Sequence, residues 1–114
     1  MLEELFRLDN KIIIITGATG LLGRKHAEAV ACYGGIPILL DLSQDAIDNL
    51  VDELNDKYKV GATGFVVDIT DEEAVKDNAN QLVERFGKID GLVNNAANNP
   101  KVEESSDKNF SRLE

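Results

Sequence analysis

The sequence predicts an α/β fold in which a parallel sheet of about four strands lies between layers of helices. Three observations support this prediction: short apolar runs, segments of helical apolar spacing between them, and glycines or capping residues at the junctions. The four isoleucines of residues 12–15 are typical of a strand that is buried on both faces. Strands that alternate with helices in this way form parallel sheets with right-handed crossovers.

The first strand leads into a glycine-bearing turn, residues 17–23, and then into a helix predicted over residues 22–33. The glycines at 34 and 35 are a natural stop for that helix. A second strand is predicted at residues 36–40, and Ser43 is placed to cap the helix that follows. The apolar residues of that helix fall on one face: Ile47, Leu50, Val51, Leu54 and Tyr58.

A third strand is predicted at residues 65–67, ending at Asp68. Thr70 and Glu73 have the spacing of a capping box and predict the start of a third helix. Its apolar face is predicted from helical spacing: Val75, Ala79, Leu82, Val83 and Phe86. Gly87 ends this helix, and a fourth strand is predicted at residues 89–93. Residues 1–100 form the predicted domain, and residues 101–114 are a charged tail that we expect to be poorly ordered or to await a partner segment.

Composition excludes several function classes. The 114 residues fit one domain, and the net charge of −9 disfavours nucleic-acid binding or a polybasic membrane patch. Cys32 is the one cysteine, which excludes an intramolecular disulfide, and we expect it to be a buried helical thiol. With His26 as the one histidine, no metal site is expected. No signal peptide or run of roughly 18 apolar residues is present, so we expect a soluble, cytoplasmic protein.

The turn after the first strand reads TGATGLLG and lies where a dinucleotide-binding loop would lie. Gly17 would permit the tight turn, Gly20 would let the backbone approach a pyrophosphate, and Gly23 would let the helix pack closely on the strand. The N–H groups at the start of the helix would then face the phosphates. The alternative is a glycine turn that serves packing alone.

Three further positions end strands and are candidates for the same site. Asp41 would accept both ribose hydroxyls of an adenosine and repel a 2′-phosphate; no Arg or Lys follows at 42–44 to compensate, which favours NAD over NADP. The alternative is a plain strand-end acid. Asp68 would either meet the adenine edge or cap the turn into the Thr70 helix. Asn94 and Asn95 would either line the ligand crevice or satisfy turn backbone.

Taken in order, TGATGLLG, Asp41, VVDIT and NNAA resemble the N-terminal half of a short-chain dehydrogenase/reductase over residues 6–100. The resemblance implies a Rossmann-type three-layer fold with strand order 3-2-1-4, truncated to half of a doubly wound domain. It also implies an NAD cofactor, with NADP less favoured, and maps Asn94 to the motif that steadies the sheet. The cofactor-binding residues that it implies are Gly17, Thr19, Gly20, Leu21, Leu22, Gly23, Asp41, Leu42, Asp68, Ile69, Asn95, Ala96 and Ala97.

The motifs depart from the commonest family pattern in two ways. Leu21 stands where most members have a glycine, and the resulting TGxxGxxG spacing resembles extended members that act on nucleotide sugars. NNAANNP, with Ala97 in place of a final glycine, resembles members linked to surface-sugar or flagellin modification. The subgroup therefore stays open at this point.

The family's chemistry implies a Tyr-x-x-x-Lys pair, in which the lysine lowers the pKa of the tyrosine. Tyr33 is followed at that spacing by Pro37 and Tyr58 by Ala62, so this chain has no such pair. We therefore expect the front half of a longer NAD-dependent oxidoreductase, inactive by itself. The alternatives are a non-catalytic nucleotide-binding module, or the front half of a nucleotide-sugar epimerase or dehydratase or of a surface-sugar (flagellin-type) modification enzyme.

Strand order 3-2-1-4 would leave the fourth strand at an edge. Its other side chains are apolar, and Asp90 is the one charged residue in it that could oppose pairing with another strand. Such an edge is a template for pairing with another chain. We therefore expect the isolated chain either to be marginally stable or to self-associate through residues 89–93 and the sheet face beside them.

Overall fold

A four-stranded parallel sheet in the order β3-β2-β1-β4 lies at the centre of the computed structural model, which describes residues 7–96. The strands are β1 (Ile12–Thr16), β2 (Ile36–Asp41), β3 (Thr63–Val66) and β4 (Gly91–Asn94), and the helices are α1 (Leu21–Cys32), α2 (Gln44–Tyr58) and α3 (Glu72–Phe86). The α/β class and the strand order are as predicted. No helix in the described range is long and apolar enough to cross a membrane. Residue 97 and the 101–114 tail lie outside the described residues.

The isoleucine run of β1 is apolar throughout because both faces of the sheet are covered. Ile15 packs with α1 and α2 in one core cluster, and Ile13 lies against the same cluster. Ile12 and Ile14 belong to a second cluster, which includes Leu82 of α3. Successive side chains of a strand point to opposite faces, so the run supplies both clusters. The sheet is therefore the middle of three layers.

The first two helices begin and end at the residues that the sequence marks. Ser43 is the N-cap of α2, where its hydroxyl accepts a hydrogen bond from Ala46 N at 3.2 Å. Helix α1 ends at Cys32, and the chain turns through Gly34 at a φ of +90°. A φ in this left-handed region favours glycine. Both boundaries lie within one residue of the prediction.

Strand β3 begins two residues earlier than predicted and ends one residue earlier, at Thr63–Val66. Its start was missed because Thr63 and Gly64 interrupt the apolar pattern. A Cβ at Gly64 would lie inside contact distance of Ile47 Cγ2, so glycine lets α2 pack closely on this strand. Strand β4, by contrast, begins two residues later than predicted and ends one residue later, at Gly91–Asn94.

The N-cap of α3 is Asp71, not the predicted Thr70. The Asp71 carboxylate accepts from Ala74 N at 3.2 Å, and the helix begins at Glu72. The Thr70 hydroxyl is instead donated to Asp68 Oδ1 at 2.6 Å. The helix therefore begins one residue later than predicted, with the Asp71 carboxylate in place of the Thr70 hydroxyl as its capping acceptor.

The predicted apolar face of α3 is only partly buried. Leu82 is fully buried and Asn78 nearly so, whereas Val75 is 37% exposed and Val83 49%. Leu92 of β4 is paired with Ile14, which places it on the α3 side of the sheet, and it is 61% exposed. Within the described residues, α3 therefore covers only part of its side of the sheet.

Cys32 is exposed, so the expectation of a buried thiol was wrong. It is the last residue of α1, one position after Ala31, which is buried. Each residue advances about 100° around a helix, so the neighbour of a buried residue can point to solvent. Helical spacing placed the cysteine on a helix correctly but did not decide its face.

Asp90 joins the start of β4 to the start of β1. Its Oδ2 accepts from Ile12 N at 2.8 Å, its own backbone N–H is donated to Ile12 O at 2.8 Å, and Lys88 Nζ lies 3.1 Å from the carboxylate. The bond from the Ile12 backbone, followed by that from Lys88, lowers the pKa of Asp90. Its carboxylate therefore binds a neighbouring strand.

Replacing this carboxylate is expected to change how stability depends on pH. Because the native pKa of Asp90 is lowered, its ionised form contributes stability above the ordinary aspartate value of about 3.9, and this is lost as pH falls through the native pKa. Asp90→Asn should therefore unfold at lower urea concentration than the natural chain at pH 7, with the gap narrowing below pH 4. Urea unfolding of both proteins between pH 2 and pH 7 measures this difference in midpoint. A difference that stays constant with pH would contradict the stabilising role given to the ionised Asp90 carboxylate.

Candidate functional site

A cleft of about 770 Å³ opens at the carboxyl ends of the strands. In parallel α/β sheets ligands bind at this edge, where the direction of strand order reverses. The residues that line it are Gly17, Thr19, Gly20, Leu21, Leu22, Leu40, Asp41, Leu42, Val67, Asp68, Ile69, Thr70, Asn95 and Ala96. Of the residues picked out by sequence as candidates for cofactor binding, all line this cleft except Gly23, which is buried, and Ala97, which lies outside the described residues.

Two glycines of the turn are required by the packing of the chain. Gly17 has a φ of +62°, and a Cβ there would lie 2.9 Å from Ala96 Cα. A Cβ on Gly23 would lie inside contact distance of Gly17 O and 2.8 Å from Ala18 Cα. Gly17 thus lets the turn approach the segment after β4, and Gly23 lets α1 approach the turn.

Gly20 differs from both, because packing does not require a glycine there. Its φ is −77°, and a Cβ would lie 3.5 Å from Gly17 O, an ordinary contact distance. Gly20 is also the N-cap of α1, and the first turn of that helix contains no acidic residue. The first N–H groups of a helix lack partners within the helix and attract anions. Gly20 therefore leaves the helix start open toward the cleft.

The buried hydroxyl of Thr16 fixes the end of β4 against this turn. Its Oγ1 accepts from Asn95 N at 2.9 Å and from Ala96 N at 3.1 Å, and it can donate to Asn94 Oδ1 at 3.1 Å. Asn95 Nδ2 also lies 3.4 Å from Gly17 O. Both asparagines thus satisfy backbone or hydroxyl groups of the turn, and Asn95 lines the cleft as well. Thr16 was not among the predicted site residues, although a hydroxyl between an apolar strand and a glycine turn was a usable signal.

Asp41, at the end of β2, is connected to the glycine turn through Thr19. Its Oδ2 accepts from Thr19 N at 2.9 Å and from Thr19 Oγ1 at 2.6 Å, and its Oδ1 accepts from Leu42 N at 2.8 Å. Partial burial raises the pKa of Asp41, but the bonds from Thr19 and Leu42 outweigh it, and the net pKa lies below the usual value. Asp41 is therefore an anionic acceptor at neutral pH.

Asp68 sits in the turn after β3, on the far side of the cleft. Its Oδ1 accepts from Thr70 N at 2.9 Å and from the Thr70 hydroxyl at 2.6 Å, and the hydroxyl bond is the main cause that lowers its pKa. The turn-capping role is thus observed, on a residue that also lines the cleft. Leu42 and Ile69 also line the cleft with exposed side chains, and they add apolar surface to it.

Three lining residues were missed by the sequence analysis: Leu40, Val67 and Thr70. Each lies at or just after the carboxyl end of a strand, and this position was the available signal. Arg24 lies in the first turn of α1, but its guanidinium pairs with Glu53 of α2 and with Glu28. That pairing raises the pKa of Arg24, chiefly through the hydrogen bond to Glu53. Arg24 thus joins α1 to α2.

Comparisons with known proteins agree with this geometry. Residues 11–113 match the family model described as short chain dehydrogenase. The chain is 36% identical over 90 residues to meso-2,3-butanediol dehydrogenase of Serratia marcescens, and 34% identical over 89 residues to the post-translational flagellin modification protein A of Campylobacter coli. These matches cover 79% and 78% of this chain and 35% of each relative.

A solved structure shares the fold of the described residues. L-sorbose reductase from Gluconobacter frateurii, complexed with NADPH and L-sorbose, superposes with a TM-score of 0.78 at 28% identity. The match covers 82% of this chain and 36% of the reductase. The chain thus spans about a third of the length of these proteins. The family match, the strand order and the position of the cleft agree, and the chain belongs to the short-chain dehydrogenase family.

Proposed function

We propose that this chain is the dinucleotide-binding part of an NAD-dependent oxidoreductase that transfers a hydride between the nicotinamide and an alcohol or carbonyl substrate. The observation that carries the proposal is one cleft that unites the open start of α1 with the anionic Asp41. A helix start suits a pyrophosphate, and a carboxylate suits the hydroxyls of a ribose. The two groups are neighbours in a dinucleotide, as they are in the cleft.

Different residues of the cleft would bind different parts of the cofactor. The turn and the first residues of α1 would hold the pyrophosphate, where Gly20 lets the ligand come close to backbone. Asp41 would receive the adenosine ribose. Leu42 and Ile69 would flank the adenine, with Asp68 at its edge. The segment after β4 would line the second ribose through Asn95 and Ala96.

Asp41 also supports the preference for NAD. An ionised carboxylate repels a 2′-phosphate at the same place, and positions 42–44 are Leu, Ser and Gln, without a cation to offset it. The nicotinamide would supply the hydride chemistry when bound. The general acid/base that such a reaction needs would come from residues outside these 114, because neither tyrosine has a lysine four positions later.

A binding comparison tests both the site and the preference. The full chain should bind NAD more tightly than NADP, and Asp41→Ala should weaken NAD binding about 10- to 100-fold by loss of charge-assisted hydrogen bonds. Asp52→Ala removes the same charge from an exposed position on α2 and should leave both affinities unchanged. Calorimetric titration of the natural chain and the two variants with NAD and with NADP measures these affinities. Binding of NADP as tight as that of NAD would refute the role given to Asp41.

A further inference from the structure

The junction between Asp90 and Gly91 carries a reactive pair of residues. Asp90 is the one aspartate of the chain that precedes a glycine, and no asparagine precedes one. A carboxyl side chain followed by glycine is prone to close into a succinimide ring, because glycine has no Cβ to hinder its nitrogen. The Asp90 side chain is 23% exposed, so water reaches it. The pair therefore has both the groups and the solvent access for a rearrangement of the backbone.

The contacts of Asp90 oppose this reaction in the folded chain. Its Oδ2 accepts from Ile12 N at 2.8 Å and lies 3.1 Å from Lys88 Nζ, and its own N–H is donated to Ile12 O at 2.8 Å. These contacts tie the carboxylate to β1, whereas ring closure needs its carbon to turn onto the Gly91 nitrogen. They also lower the pKa of Asp90, whereas ring closure needs a protonated carboxyl that can lose water.

We propose that Asp90–Gly91 is a modification site, at which isoaspartate forms when the start of β4 separates from β1, and that the contacts from Ile12 N–H and Lys88 suppress this reaction in the paired strand. The Gly91 nitrogen bonds to Asp90 Cγ, and the carboxyl hydroxyl leaves with the amide proton as water. Water then adds to the backbone carbonyl carbon of Asp90 and breaks its bond to the Gly91 nitrogen. The product is isoaspartate, and no reactant other than water takes part.

The modification would alter the pairing of β4. In isoaspartate the link to Gly91 runs through Cβ and Cγ, so the main chain is longer by one atom at residue 90. Gly91 is the first residue of β4 and pairs with Ile13, and the strand leads directly to Asn95 in the cleft. In the described range β4 is an edge strand, and weakly covered elements open at low free energy. The amount of isoaspartate would thus record how often this strand has opened.

The rate of isoaspartate formation at residue 90 tests the proposal. The full chain is incubated at neutral pH, either folded or in guanidinium chloride, and isoaspartate is located by proteolysis and mass spectrometry. The folded chain should react at least about tenfold more slowly, because a charge-assisted hydrogen bond must first break. Gly91→Ala should abolish the reaction in guanidinium chloride. A Cβ at Gly91 would lie 3.2 Å from the flexible end of Ile13, so this variant should also fold.

Lysine variants separate the contact of Lys88 from general effects of charge. Lys88→Gln should react about two- to fivefold faster than the natural chain when folded, and at the same rate in guanidinium chloride. Lys88→Arg keeps the cation and should keep the slow rate. Lys76→Gln removes a cation from an exposed position on α3 and is the matched control, with no change expected.

Two results would overturn the proposal. Absence of isoaspartate at residue 90 in guanidinium chloride would exclude the site itself. Equal rates in guanidinium chloride and in a chain shown by circular dichroism to be folded would exclude suppression by the paired strand. A folded Lys88→Gln variant that reacts at the natural rate would overturn the part given to Lys88.

Discussion

Gly17→Val is expected to destabilise the protein and to abolish NAD binding. Gly17 has a φ of +62°, which a β-branched residue adopts only at a cost of about 1–3 kcal/mol. A Cβ there would also press on Ala96 Cα from 2.9 Å, so the segment after β4 would have to move. Thermal unfolding and calorimetric titration with NAD would show both effects. A variant that binds NAD normally would show that this turn is not the phosphate site.

Gly20→Ala is the matched comparison for that experiment. Its φ of −77° and the 3.5 Å to Gly17 O leave room for a methyl group, so the melting temperature should stay close to that of the natural chain. The methyl group would nevertheless lie at the open start of α1, where the pyrophosphate approaches. Weaker NAD binding with unchanged stability would thus separate a glycine kept for the ligand from one kept for the fold. Unchanged NAD binding in Gly20→Ala would contradict the role proposed for this position.

Self-association through β4 is the second large effect that we expect. In the described range β4 pairs only with β1, and its Leu92 is 61% exposed on the side where Val75 and Val83 of α3 are also open. An exposed apolar edge strand recruits another strand, and apolar surface around it favours association. Sedimentation velocity at several concentrations should therefore show an average mass that rises with concentration.

A charge on the edge tests this assignment. Leu92→Lys should shift the distribution toward the monomer, because a lysine on an edge strand opposes pairing. Val66→Lys makes the same change on β3, the opposite edge of the sheet. This variant should shift the distribution toward the monomer less than Leu92→Lys does. Hydrogen exchange of the β4 amides gives an independent measure of whether this strand is paired on its open edge. A monomer at every concentration, with β4 amides as protected as those of β1, would contradict the expectation.

Much of the fold could be predicted because its signals are local. A continuous isoleucine run indicates a strand covered on both faces, and Ser43 before an amphipathic segment indicates a helix start. Both appear in the structure as predicted. The start of β3 could not be predicted, because Thr63 and Gly64 pair with β2 through backbone groups while their side chains carry little apolar signal. The cap of α3 was misassigned because two adjacent side chains, Thr70 and Asp71, competed for the role.

The candidate site divides in the same way. The order of motifs along the chain was enough to single out the residues of the glycine turn and the strand-end acids, since parallel strands bring their carboxyl ends to one edge. Only the tertiary structure decided what those side chains do to one another. Thr19 and Asp41 are 22 residues apart and meet through a side-chain hydrogen bond, and Thr16 meets Asn95 across 79 residues. The exposure of Cys32 and Leu92 was also decided there, because burial depends on which neighbouring element covers a face, and no local pattern carries that information.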